Sequence, residues 1–111
     1  MQIYDTNTLE KAISKYGKDS QVDMAVEEMS ELVKALLKDR RAMRNPAAWD
    51  YERIYQNICE EIADVLIMLE QLMMIFNCEK EVAGYIRAKI ERLKKRLEAE
   101  ENVQNGRCKE I

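Results

Sequence analysis

The run Tyr51–Phe76, YERIYQNICEEIADVLIMLEQLMMIF, decides the fold class. Its apolar residues Ile54, Ile58, Ile62, Val65, Leu69, Leu72 and Phe76 step by four, four, three, four, three and four, the spacing of one face of an α-helix. Upstream, Asn45-Pro46 is a breaker that can also open a new helical turn, with Trp49 and Tyr51 just beyond it. Before the breaker, from Gln21 to Lys38, the residues Val22, Val26, Met29, Leu32, Val33, Leu36 and Leu37 again recur at helical spacing. The basic run Lys38-Asp39-Arg40-Arg41 suits the negative end of that helix's dipole. Ser20 is its expected N-cap, with Asp23 in a capping-box-like position. A short first helix is expected over Thr6–Tyr16, stopped by Gly17. Downstream, Asn77-Cys78 ends the strong run. A fourth helix is expected from Lys80 to Glu98, with Val82, Ile86, Ile90, Leu93 and Leu97 inward. Gly84 weakens it by about 1 kcal/mol relative to Ala. The polar stretch 100–111 reads as a flexible tail, leaving residues 1–99 as one helical domain.

Composition agrees. Of 111 residues, 47% are apolar and 35% charged, which is the balance of a soluble globular chain with a core. Three Gly and one Pro are too few to punctuate sheets and tight turns. The expectation is therefore an all-α, antiparallel bundle of about four helices, with a core small enough that dimerisation completes it. Met24, Met29, Met43, Met68, Met73 and Met74 supply adaptable filling for core or interface.

Absences narrow the chemistry. With no His, the usual Ser-His-Asp and Cys-His triads, His-ligated zinc and the Glu-x-x-His di-iron bundle are excluded. Glycines at 17, 84 and 106 cannot form a P-loop or a dinucleotide-binding turn. Any metal would rest on carboxylate oxygens, which points to Mg²⁺, Mn²⁺ or Ca²⁺. A net charge of −3 argues against a nucleic-acid polymer as partner. Cys59, Cys78 and Cys108 are odd in number and form no Cys-x-x-Cys, so a reducing cytosol is expected rather than a disulfide framework. Met1-Gln2-Ile3-Tyr4-Asp5 has neither a basic nor an apolar leader region, so no signal peptide is expected. No apolar run reaches membrane-spanning length, so no membrane partner is expected either.

The informative pattern is a near-duplicate set of acids. Glu27-Glu28-x-x-Glu31 lies on the second helix and Glu60-Glu61-x-x-Asp64 on the third. Glu28/Glu31 and Glu61/Asp64 sit one turn apart on the same face, where like charges repel by a few tenths of a kcal/mol per pair. Both sets flank apolar stripes. Antiparallel packing would bring them together as a carboxylate-lined pocket in need of cations, and hard divalent ions fit. Lys34 and Lys38 lie within about 20° of Glu27's direction. They are either phosphate contacts or surface partners of the glutamates. Lys89, Arg92, Lys95 and Arg96 form a basic flank on the fourth helix.

At these residues the chain resembles the MazG-like family of all-α nucleoside triphosphate pyrophosphohydrolases. The resemblance rests on Glu27-Glu28-x-x-Glu31 and Glu60-Glu61-Ile62-Ala63-Asp64, with Lys15-Tyr16-Gly17 and Gln21 upstream, and spans Glu10 to Leu97. It implies a homodimer or a dimer of dimers. It also implies Mg²⁺-dependent cleavage of nucleoside triphosphates between the α- and β-phosphates, with Mn²⁺ a substitute. By that resemblance Glu28, Glu31, Glu61 and Asp64 would hold metal, and Glu27 or Glu60 would orient or deprotonate the attacking water. Lys34, Lys38, Lys89 and Arg92 would contact phosphate. Tyr16, Gln21, Trp49 and Asn57 are base-pocket candidates. Leu93 stands where the family often carries an Asn. The competing expectation is a helical interaction or nucleotide-binding module without catalysis, which the amphipathic stripes fit equally well.

Overall fold

The computed structural model describes residues 4–45, 47 and 50–109, with side chains through Gly106. They form four helices and, among the described residues, no strand: α1 (Thr6–Tyr16), α2 (Lys18–Met43), α3 (Tyr51–Phe76) and α4 (Glu79–Lys109). None is long and apolar enough to cross a membrane.

Caps explain most of the boundaries. Asp5 starts α1. Its carboxylate accepts bonds from the Thr8 N–H at 3.2 Å and the Thr8 hydroxyl at 2.8 Å, which hold its pKa below the usual value. Asp50 starts α3 in the same way, accepting the Arg53 N–H at 3.2 Å. Asn77 ends α3 in the left-handed conformation, φ 50° and ψ 50°, its N–H reaching back to the last-turn carbonyls.

Ser20 does not cap α2, as its sequence position suggests. Gly17 turns the chain at φ 92° and ψ 151°, a region essentially reserved for glycine. The α1 helix stops there, and α2 resumes at Lys18, before Ser20 can act. The first bond of α2 runs from the Gln21 N–H to the Gly17 carbonyl at 3.1 Å. At the other end α2 continues to Met43, and α4 runs past Glu98 to Lys109.

The chain divides into two compact units, Met1–Asn77 and Cys78–Ile111. In the first, α2 and α3 form the main pair and α1 packs on both. Glu28 stands beside Glu61 and Asp64, while Ala35 and Ala42 share a cleft with Ile54 and Asp50. Rising numbers on α2 thus meet falling numbers on α3, so the pair is antiparallel. Its seam holds Ala25, Ala35, Ile54, Val65 and Met68, with Gln21 and Gln71 also buried.

This seam corrects the expected stripes. Ile62, Leu69 and Phe76 of α3 and Val26, Met29 and Leu36 of α2 are exposed, Phe76 by 65%. Both helices carry two adjacent apolar rows. The rows that meet include the alanines, which let the backbones approach. Of the methionines, Met68 is buried and Met73 and Met74 half-buried, whereas Met24, Met29 and Met43 are exposed. The expected inward residues Ile86, Ile90, Leu93 and Leu97 of α4 are exposed as well.

Rotation about the axes orders the rest. On each helix, the residues one position after the seam lie about 100° round it. Because α2 and α3 are antiparallel and face each other, these rows fall on the same side of the pair. Val26, Met29, Val33 and Leu36 therefore join Ile62, Leu66, Leu69 and Phe76 in one exposed apolar face. The residues one position before the seam gather on the opposite side. Glu27, Glu31, Lys34, Lys38 and Arg41 come from α2, and Arg53, Asn57, Glu60 and Asp64 from α3. The unit thus has one greasy side and one charged side.

Candidate metal centre

The charged side is anchored by Glu28 on α2 and by Glu61 and Asp64 on α3. Each offers one carboxylate oxygen such that all three lie within 4.8 Å of one another. Glu28 and Glu61 occupy the seam itself, replacing the apolar residues that helical spacing would put there, and both are half-buried. Asp64, one position before the seam, is exposed and leans in from the rim.

The electrostatic cost of this arrangement is visible. Glu28 has its pKa pushed up, first by loss of water and then by the charges of Asp64, Glu61, Glu27 and Glu31. Glu61 is pushed up by loss of water and by Asp64, Glu31 and Glu60. Its Oε2 is buried and has no hydrogen-bond partner. A buried carboxylate oxygen without a donor is costly unless a cation or proton meets it. Two oxygens on opposite sides of one Mg²⁺ stand about 4.2 Å apart, and of one Ca²⁺ about 4.6–5.2 Å. A separation within 4.8 Å and an all-carboxylate donor set therefore fit a hard divalent ion.

The other expected residues fall in several places. Glu31 is not among the converging three. Its Oε1 faces the Lys34 Nζ at 3.4 Å, a long pair whose partners are both well exposed, though its charge still reaches Glu28 and Glu61. Glu27 is exposed next to Glu28, and Glu60 is exposed on the wall of a cleft. Lys34, Lys38 and Asn57 line the groove beside Glu61. Gln21 is buried in the seam, and Tyr16 is exposed at the end of α1, with the Lys15 Nζ 5.5 Å from its ring centre. Neither lines the groove. Lys89 and Arg92 lie on α4, in the second unit, where they form a shallow basic patch with Leu93 and Arg96. Trp49 lies outside the described residues.

Sequence reasoning missed Arg41 and Arg53. Both line the groove between α2 and α3. The signal was present: Lys34, Lys38 and Arg41 step by four and three, and Arg53, Asn57 and Glu60 do the same. The helix dipole already accounts for Arg41 at the basic end of α2, and Arg53 stands outside the acidic pattern. Comparison with protein-family models, curated proteins and solved structures finds no match to this chain.

Proposed function

We propose that the chain is a Mg²⁺-dependent nucleotide pyrophosphohydrolase that cleaves (d)NTPs between the α- and β-phosphates to give a monophosphate and pyrophosphate. The carrying observations are the convergence of Glu28, Glu61 and Asp64 from two helices and, on Glu61, a buried oxygen, Oε2, that has no hydrogen-bond partner. Their resemblance in sequence to the MazG-like motif supports the same reading. Phosphoryl chemistry is served by positioning and charge neutralisation rather than by a covalent nucleophile. This suits a chain without His.

Glu28, Glu61 and Asp64 would hold Mg²⁺, or Mn²⁺ in its place, with Glu31 able to join by leaving its weak contact with Lys34. Bound there, the metal supplies a Lewis acid and a water of lowered pKa. Glu27 or Glu60, each exposed and next in sequence to one of the three, would accept the water's proton. Lys34 and Lys38 neutralise phosphate oxygens from the adjoining groove. Incubation with a (d)NTP panel and Mg²⁺ should release monophosphate and pyrophosphate from at least one member, and Glu61→Gln should abolish that release while leaving helicity intact. No release across the panel would overturn the reading.

The partner we propose for the apolar side is a second copy of the chain. A row of exposed apolar residues along two helices, Val26, Met29, Val33 and Leu36 with Ile62, Leu66 and Leu69, has the character of an interface rather than of free surface. Light scattering should give a dimer or larger, and Ile62→Glu should give the monomer. Free Cys59 and Cys78 suit a reducing compartment such as the cytosol.

A non-catalytic helical module remains the competing reading, and the exposed apolar face is the observation in its favour. It predicts that Mg²⁺ and a nonhydrolysable nucleotide leave thermal stability unchanged.

A further inference from the structure

Two rows on different helices of this chain carry the same pattern in opposite directions. On α2 the outward row runs Val22, Val26, Met29, Val33, Leu37 and Arg40, in steps of four, three, four, four and three. On α4 a row read backwards runs Leu97, Leu93, Ile90, Ile86, Val82 and Glu79, in the same steps. Val22 and Val82 are half-buried, and the others are exposed. Asp23 borders the first row beside Val22, and Arg96 borders the second beside Leu97. Laid antiparallel, the rows set five apolar residues against five. The same register brings Arg96 to Asp23 at one end and Glu79 to Arg40 at the other. Asp23 and Arg40 are 17 residues apart, as are Glu79 and Arg96, about 25 Å of helix in each case. Among the described residues the only ion pair is Lys34–Glu31, and the side chains of these four charged residues have neither an ion pair nor a hydrogen bond.

Connectivity excludes α4 of the same chain from this register. Because α2 and α3 are antiparallel, α3 ends near the start of α2, where Met74 and Ile75 share a cleft with Gly17 and Lys18. Only Asn77 and Cys78 separate α3 from α4, a reach of about 11 Å from Phe76 to Glu79. The register needs Glu79 beside Arg40, and about 33 Å of helix separates Lys18 from Arg40. Pairing of α4 with another α4 is disfavoured for a different reason. Lys89 and Arg96 flank its row on one side and Arg87 and Lys94 on the other, so either orientation sets cation against cation.

We propose that α4 of one copy lies antiparallel along the outward row of α2 in a second copy, and that two-fold symmetry makes the exchange reciprocal. This pairing rests on the dimer proposed above and names the element that covers its α2 side. The apolar rows supply the burial, and the two charge pairs fix direction and register, which is what complementary charge does best at an interface.

The test is a charge exchange on the full chain, read by analytical ultracentrifugation. One variant carries Glu79→Arg with Arg96→Glu, the other Asp23→Arg with Arg40→Glu. All four positions are exposed, so both variants should keep wild-type helicity. Each alone should self-associate about tenfold more weakly than wild type or worse, and their equimolar mixture should recover the wild-type constant, because every contact in the mixed dimer is again between opposite charges. Variants that associate like wild type would overturn the α4 docking and leave the dimer standing on its other contacts, where Ile62→Glu still acts. Weakening in both variants without recovery in the mixture would overturn the register. A wild-type chain that is monomeric at every concentration would overturn the docking and the dimer together, and sedimentation of that monomer with phosphatidylserine vesicles would assign the basic-flanked row of α4 to an anionic lipid surface instead.

Discussion

Adding Mg²⁺ to the metal-free chain should raise the melting temperature of its first unit steeply, and Glu61→Gln should remove most of that rise. Three carboxylate oxygens within 4.8 Å, on residues that include Glu61 with its buried, donorless Oε2, give the metal-free fold a repulsion that an ion would convert to attraction. An ion that binds the folded state alone stabilises it by about 2.7 kcal/mol when present at 100 times its dissociation constant. The unit spans Met1–Asn77. In domains of 60–100 residues each kcal/mol moves Tm by about 4–8 °C, so the expected rise is about 11–22 °C. Far-ultraviolet circular dichroism melts with Mg²⁺, Mn²⁺, Ca²⁺ and a monovalent control measure it. A shift of equal size in wild type and Glu61→Gln would mean that the ions act elsewhere, and no shift with any divalent ion would remove the metal centre altogether.

Other expectations follow from the same cluster and from the helix ends. Without metal, Glu61→Gln should be more stable than wild type at neutral pH. The folded pKa values of Glu28 and Glu61 lie above the ordinary 4.5, so their penalty is full above the folded values and vanishes as pH falls toward 4.5. The advantage of the variant in paired melts should therefore shrink on acidification; an advantage that grows would reverse the sign of the reasoning. Gly17→Ala should cost about 1–3 kcal/mol in denaturant unfolding, because the strain lies in the backbone at φ 92° and nothing stands within 4 Å of the added Cβ. Asp50→Ala should cost about 1 kcal/mol through loss of the bond to the Arg53 N–H, and more than any substitution at Ser20, which caps nothing.

Much of this fold can be read directly from the residues, for local reasons. Thr6–Tyr16 and Tyr51–Phe76 emerge with the expected limits because their ends are written in side chains and turn residues: Asp5, Gly17, Asp50 and Asn77. The start of α2 was misread because Ser20 and Asp23 form a capping pattern, while a glycine conformation three residues earlier had already restarted the helix. The inward face was misread for a different reason. Periodicity shows that a helix is amphipathic, but α2 and α3 each carry two apolar rows about 100° apart, and only the partner decides which one is covered. In the site, Glu28, Glu61 and Asp64 were legible because acids beside an apolar stripe are anomalous. Arg53 and Arg41 were not, because cations at helix ends have an ordinary explanation.

The alanines of the seam have a consequence beyond packing. Ala25 lies one turn before Glu28 and Ala35 two turns after it, both almost fully buried against α3. Interaxial distance between packed helices follows the bulk of the side chains at the contact. These two uncharged methyl groups therefore act as the gauge of the opening between the carboxylates. A change from Ala35 to Val or Leu would alter no ligand, yet it would spread the helices and shift preference from smaller to larger ions. Cation choice at the proposed site would thus be tuned from residues that never touch the ion, and a survey of variants at Ala25 and Ala35 would trace ionic radius as a function of helix spacing.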